Sequence, residues 1–267
     1  MNTKMLGALV GDIVGSVYEF HNTKSTDFDL FYGASKYTDD SVMTLAVAKW
    51  LIEDEAHTLH YLIYCMQELY HNHPNAGYGG HFYCWLAKDN PQPYNSWGNG
   101  AGMRVSPVGL YAKTIDEALA LAALTASVSH NHPEGIKGAQ AIAACSFLCR
   151  QGRTKQEIKE YIEKTFCYDL NRTIAEIRPR YSFDVSCQGS VPEAIIAFLE
   201  GNSFEEVLRL AISLGGDSDT IGAMACAIAA CMYPIPEDIA IRCDSILTDD
   251  LRDIKNRFCK LLDERTT

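Results

Sequence analysis

The chain has 267 residues, 47% of them apolar and 21% charged, which is the balance of a globular protein with enough apolar material for a large core. A formal net charge of −11 excludes a nonspecific binder of nucleic acid or of an anionic membrane surface, since either would be repelled at long range. No apolar run is long enough to span a bilayer, the start of the chain has no export-type cleavage pattern and no linker divides it, so a cytoplasmic single domain over residues 1–267 is expected.

From Met5 to Tyr18 the sequence MLGALVGDIVGSVY puts Gly7, Gly11 and Gly15 on one helical face, where small residues allow a second backbone to come close. Asp12 and Glu19 are seven apart on a shared face, and two carboxylates there point toward a polar site rather than a core. The next signal is Thr38, Asp39, Asp40 and Ser41, directly ahead of a helical pattern over Ser41–Ile52. A second helix is expected over Leu59–Tyr70, followed by a loop from His71 to Gly80. His71, His73 and His81 match no strong zinc spacing.

Tyr94 to Gly109, YNSWGNGAGMRVSPVG, is rich in glycine but is neither a dinucleotide fingerprint nor a Walker loop. It reads equally as a cradle for phosphate or ribose and as a structural turn. Helices are expected over Ile115–Ser127 and Glu134–Cys149, with His130 and His132 at their junction, then over Thr154–Thr165, Val191–Leu199 and Phe204–Leu214. A glycine turn is expected at Cys187–Ser190. The ten cysteines are scattered without a CxxC pair and read as free core thiols.

Near the C-terminal end, Gly215–Thr220 reads GGDSDT, ahead of the Ala-rich run Ile221–Met232. An ordinary helix N-cap would explain one of these carboxylates. The second, packed beside it against a buried helix, would repel it unless a cation or proton intervened, and the cluster at Thr38–Ser41 has the same build. Oxygen ligands without Cys or His imply a hard cation, magnesium or manganese before calcium because no twelve-residue calcium loop is present. With Leu251–Leu262 as a last helix and no convincing strand pattern, the expected fold is all-α with about a dozen helices.

GDIVGSVYE, YTDDS, GNGAGMR, SHNHPEG and GGDSDT, in this order from Gly7 to about Met232, make the chain resemble the ADP-ribosylglycohydrolase family, which includes the dinitrogenase-reductase activating glycohydrolase and the ADP-ribosyl-acceptor hydrolases. The resemblance implies a compact single-domain orthogonal helical bundle with two Mg2+ or Mn2+ ions in a central cleft, and cleavage of the α-glycosidic bond between ADP-ribose and an acceptor. Thr38, Asp39 and Asp40 would bind one ion and Asp217 and Thr220 the other, with Asp219 bridging. Gly98, Asn99, Gly100, Ala101, Gly102 and Met103 resemble the loop that holds the diphosphate and distal ribose, and His130 a residue near that ribose. Asp39 or Glu19 would serve as catalytic base, and Glu19 matches a glutamate that in some members lies at the second metal.

The expected partner is an ADP-ribosylated protein or a small α-ADP-riboside, acted on by a monomer. Two competing readings are a noncatalytic ADP-ribose-binding or immunity protein of the same fold and a protein whose ions only pin helices. The acceptor is expected to be O-linked or small rather than arginine. The residues that would decide it lie in Phe20–Tyr37 and His71–Asn95, where Asp27, Asp29 and Asp89 are the carboxylates available to a guanidinium.

Overall fold

Ser218–Met232 becomes a helix with every residue from Ser218 to Cys231 buried, as the apolar residues nearly all round it require. The computed structural model describes residues 3–266 and arranges fourteen further helices about this one. In chain order they are α1 (Leu6–Gly15), α2 (Asp39–Glu53), α3 (Leu59–Asn72), α4 (Gly80–Leu86), α5 (Gly100–Met103), α6 (Ser106–Tyr111), α7 (Ile115–Ser127) and α8 (Pro133–Arg150). Then come α9 (Lys155–Phe166), α10 (Ile174–Ile177), α11 (Cys187–Glu200), α12 (Phe204–Ser213), the central α13 (Ser218–Met232), α14 (Glu237–Ile246) and α15 (Asp249–Thr266). Among the described residues there is no strand, only an isolated bridge between Gly98 and Ser186. The all-α expectation holds.

Helix α13 packs on α1, α8, α11 and α12. The closest approach is to α1, and the glycine stripe causes it. A methyl group placed on Gly7 would meet Ala230 Cβ at 2.6 Å, one on Gly11 would meet Ala223 N at 2.5 Å, and one on Gly15 would meet Asp219 N at 2.6 Å. The two helices therefore touch backbone to backbone, which no larger residue permits.

Most helix starts follow their capping residues. Thr38, Thr58, Thr114, Thr154, Thr173, Ser186 and Ser203 each accept a backbone N–H of the first turn, and Thr154 and Thr173 complete capping boxes with Glu157 and Glu176. The structure departs from the sequence reading in several places. The expected loops at His71–Gly80 and Tyr94–Gly109 contain the end of α3 and the short helices α5 and α6, with α4 beginning at Gly80. Cys187–Ser190, expected as a turn, is the first turn of α11, because Ser186 caps it. Helices α4, α10 and α14 have no counterpart in the sequence reading.

Candidate active site

Two helix N-termini face one cavity. Helices α2 and α13 both begin in an acidic cluster, and their positive dipole ends favour the carboxylates collected there. The cavity measures about 610 Å³, within the range of small-ligand sites. Its acidic and hydroxyl lining is Glu19, Thr38, Asp39, Asp40, Asp217, Asp219 and Thr220, and Gly98, Asn99, Gly100, Met103 and His130 line it as well.

The first cluster is shaped by Asp12, in the glycine-rich α1. Its carboxylate is fully buried and accepts Thr38 N at 2.9 Å, Thr38 Oγ1 at 2.7 Å and Ser41 N at 3.0 Å, together with the Ser41 hydroxyl. These bonds fix the turn that opens α2. Asp40 then lies beside Thr38, and Thr220 of α13 donates to Asp40 Oδ2 at 3.1 Å, tying the two acidic clusters together.

The second cluster is built on a tight turn. Gly215 and Gly216 have φ of 71° and 72°, in the left-handed region where glycine is preferred. Asn22 clasps this turn, receiving Gly216 N on its Oδ1 at 2.9 Å and donating its amide to Gly216 O at 3.0 Å and to Glu19 O at 2.8 Å. One side chain thus joins the Glu19 segment to GGDSDT. Asp217 occupies the N-cap position of α13 but makes no capping bond, so the plain capping reading fails there. Its Oδ2 instead accepts the Asn99 amide at 2.6 Å, so the acidic cluster and the glycine loop touch directly there.

Carboxylate oxygens of Asp12, Asp40 and Asp219 lie within 4.8 Å of one another, and so do those of Glu19, Asp217 and Asp219. Asp219 belongs to both groups. Burial is the largest influence on every one of these acids and pushes each upward, with mutual repulsion adding at Glu19, Asp39, Asp40 and Asp219. Glu19 rises to about 7 and Asp39 to about 8. Asp40 Oδ1 is buried with no hydrogen-bond partner. An oxygen-only donor set, an orphaned buried carboxylate oxygen and crowded like charges all fit hard divalent cations.

The sequence-derived site is largely assembled, with three changes. Ala101 and Gly102 are buried away from the cavity; a methyl on Gly102 would meet Met224 Sδ at 3.0 Å and Val191 Cγ2 at 3.3 Å, so this residue serves the packing of α5. Asp39 lines the cavity but belongs to neither carboxylate group, whereas Asp12 joins one of them. The histidines considered for zinc diverge: His71 Nδ1 bonds to Gln67 O, His73 sits between Tyr37 and Asp250, and His81 lines the cavity. All ten cysteines are free and eight are buried.

Lys36, Phe183 and Val185 also line the cavity and were not singled out in the sequence. Phe183 and Val185 come from an irregular segment that carries no periodic signal. It is brought in by backbone bonds, Asn99 N to Val185 O at 2.7 Å and Cys187 N to Trp97 O at 2.9 Å. At the mouth, Phe20 and Phe183 stack with centroids 6.3 Å apart.

Residues 4–267 match the family model described as ADP-ribosylglycohydrolase. The chain belongs to that family. This glycohydrolase is 28% identical to the mouse protein ADP-ribosylhydrolase ARH3, over 92% of this chain and 88% of that protein, and 26% identical to its human counterpart, over 92% and 90%. It is 23% identical to ADP-ribosylarginine hydrolase Tri1 of Pseudomonas putida, over 86% of this chain and 70% of that protein. A solved structure described as an ADP-ribosylglycohydrolase-related protein complex superposes with a TM-score of 0.71 at 22% identity, covering 97% of this chain and 96% of that one, and so shares the fold. As a member of this family the protein is an enzyme that hydrolyses glycosidic bonds, and none of its described helices is long and apolar enough to cross a membrane.

Proposed function

We propose that the enzyme releases ADP-ribose from an acceptor by hydrolysing the α-glycosidic bond, with two Mg2+ or Mn2+ ions held at the acidic wall. The observation that carries this reading is the meeting, in one cavity, of two oxygen-only carboxylate groups with a glycine loop and His130. Thr38, Asp40 and Asp219 would hold one ion, with Asp12 beside them, and Asp217, Asp219 and Thr220 the other, with Glu19 at its edge. Asp39 also belongs to the first set by motif. The ions would supply Lewis-acid polarisation of the ribose hydroxyls and of the attacking water.

The rest of the chemistry falls to the chain. Asn99 keeps Asp217 oriented, Asn22 holds the Glu19 segment against the Gly215–Gly216 turn, and the Gly98–Gly100 wall leaves room for the diphosphate and distal ribose. As the bond from the anomeric carbon to the acceptor breaks and that carbon gains oxocarbenium character, the water oxygen bonds to it, Asp39 or Glu19 takes the water's proton, and that proton is returned to the departing acceptor, the acid–base role carboxylates play in other sugar hydrolases.

Release of ADP-ribose from a modified protein, with and without chelator, tests this. Activity is expected to vanish in excess EDTA and to return with magnesium or manganese. Equal release in EDTA would overturn the two-metal reading, and tight binding of ADP-ribose without any release would make the protein a binder.

The acceptor reading is an O-linked or small leaving group. Its support is the make-up of the mouth beside Glu19, where Phe20 and Phe183 stand, while Asp27, Asp29 and Asp89 are absent from the cavity lining. A guanidinium would find no dedicated carboxylate pair there. In parallel assays at matched concentration and metal, serine-linked or small α-ADP-ribosides are expected to turn over faster than an arginine-linked one. A clear preference for arginine would reverse this assignment.

A further inference from the structure

Arg104 is 0% exposed, an unusual place for a guanidinium, and its Nε and Nη1 have no hydrogen-bond partner. Burial lowers it to about 10, so it remains charged at neutral pH. Its Nη2 donates to Thr125 O at 2.8 Å and to Ser129 Oγ at 2.9 Å, and its face lies 5.3 Å from the centre of the Phe82 ring. Ser129 is itself 0% exposed, and its hydroxyl has one other neighbour within bonding distance, His130 Nδ1 at 2.8 Å.

The direction of these bonds follows from the donor inventory. Arginine only donates, so Ser129 Oγ accepts from Arg104. Were Nδ1 to carry a proton and donate to the same oxygen, the serine hydroxyl proton would be left without an acceptor among the described residues, which is costly for a buried polar group. With the hydroxyl donating to Nδ1 instead, the serine proton and Nδ1 are both paired, and the ring proton must be on Nε2. Burial first and Arg104 second hold the imidazole well below its ordinary range, so a second ring proton is disfavoured.

The ring cannot easily turn away. Phe82 and Tyr94 pack against it with centroids at 5.9 and 5.8 Å, and Nε2 sits at the glycine loop, 3.3 Å from where a methyl on Gly98 would be and 3.1 Å from one on Gly100. His130 lines the cavity, and Nε2 has no hydrogen-bond partner among the described residues.

We propose that Arg104 and Ser129 are positioning residues that hold His130 as the neutral Nε2–H tautomer, so that the ring presents a fixed donor to an oxygen of the ligand at the glycine loop. That the ligand is an ADP-ribosyl group rests on the function proposed above; the tautomer does not. A donor fixed in this way selects an acceptor atom, a ribose hydroxyl or phosphate oxygen, at that point of the cavity. The two glycines leave space for it.

Nitrogen-15 NMR of the histidine-labelled full chain is the direct test. The His130 signals of the wild-type protein are expected to show a protonated Nε2 and a bare Nδ1 across the neutral pH range. A protonated Nδ1, an averaged pair or an imidazolium would overturn the proposal. In Ser129→Ala the tautomers are expected to average, and ADP-ribose binding to weaken about tenfold, with KM rising and kcat little changed. Ser129→Thr, which returns the hydroxyl, should restore the wild-type spectrum and affinity. Unchanged tautomer and affinity in Ser129→Ala would also overturn it. If the alanine variant does not fold, the wild-type spectrum alone decides, and if wild type binds no ADP-ribose the functional reading fails while the spectrum still judges the relay.

Discussion

Asp219→Asn is expected to abolish ADP-ribose release, by about 1,000-fold or more, in a protein that still folds. Asp219 is the carboxylate shared by the two groups, so one substitution reaches both. Replacing an outer partner of a metal ligand typically costs about 10–100-fold in affinity, and a shared ligand should cost more. The amide keeps the size, and its carbonyl oxygen can still accept Thr220 N, a bond of 3.0 Å in the native protein.

The stability expectation has the opposite sign to that of a usual core substitution. Asp219 is buried among Asp40, Asp217, Glu19 and Asp12, and burial followed by those charges drives it well above its ordinary range. Removing one charge relieves that crowding, so in EDTA the variant should melt no lower than wild type. Adding Mg2+ or Mn2+ separates them. At a concentration 100 times Kd, binding stabilises the native state by about 2.7 kcal/mol, which the wild type should show as a rise of roughly 5–10 °C and the variant should largely lack. Calorimetry finding both ions bound to Asp219→Asn as in wild type would remove the residue from its shared position.

What the sequence revealed and what it concealed follow from how far each signal reaches. The two acidic clusters were legible because each carries hard ligands at a helix start, and local chemistry is written locally. Asp12 was visible only as a carboxylate out of place beside the glycine stripe; its four bonds to Thr38 and Ser41 come from a segment 26 to 29 residues away. Asn22 carried no signal at all, since its work is to grip Gly216, 194 residues on. The short helices α5 and α6 were hidden by the glycines and prolines around them. Ala101 and Gly102 were assigned to the ligand because the motif is contiguous, but in a helical turn Gly100 and Met103, three apart, share the face that lines the cavity and the two residues between them turn to the core. Gly189 hid the start of α11, where the Ser186 cap already begins the helix and the glycine lies in its first turn.

Gly11→Ala is expected to lower stability by roughly 3 kcal/mol, the upper part of the range for overpacking, and to loosen the metal site along with it. In an exposed helix the same change would raise stability by about 1 kcal/mol through helix propensity, so the sign itself tests the packing. Here the new methyl would fall 2.5 Å from Ala223 N and closer still to the Gly222 carbonyl, and a methyl on Gly222 would in turn meet Gly11 O at 2.7 Å. Backbone faces backbone, so no side chain can swing aside, and relief requires α1 and α13 to separate. Those helices carry Asp12 and Asp219, whose oxygens meet within 4.8 Å. Separation should therefore weaken Mg2+ or Mn2+ binding as well as lower Tm, by about 6–12 °C for a chain of this size. Gly33, which has nothing within 4 Å of an added methyl, provides the control, and Gly33→Ala should leave both quantities near wild type. A Gly11→Ala protein with unchanged or raised Tm would show that the two helices do not depend on this contact, and intact metal binding at a lowered Tm would uncouple the site from the helix pair that frames it.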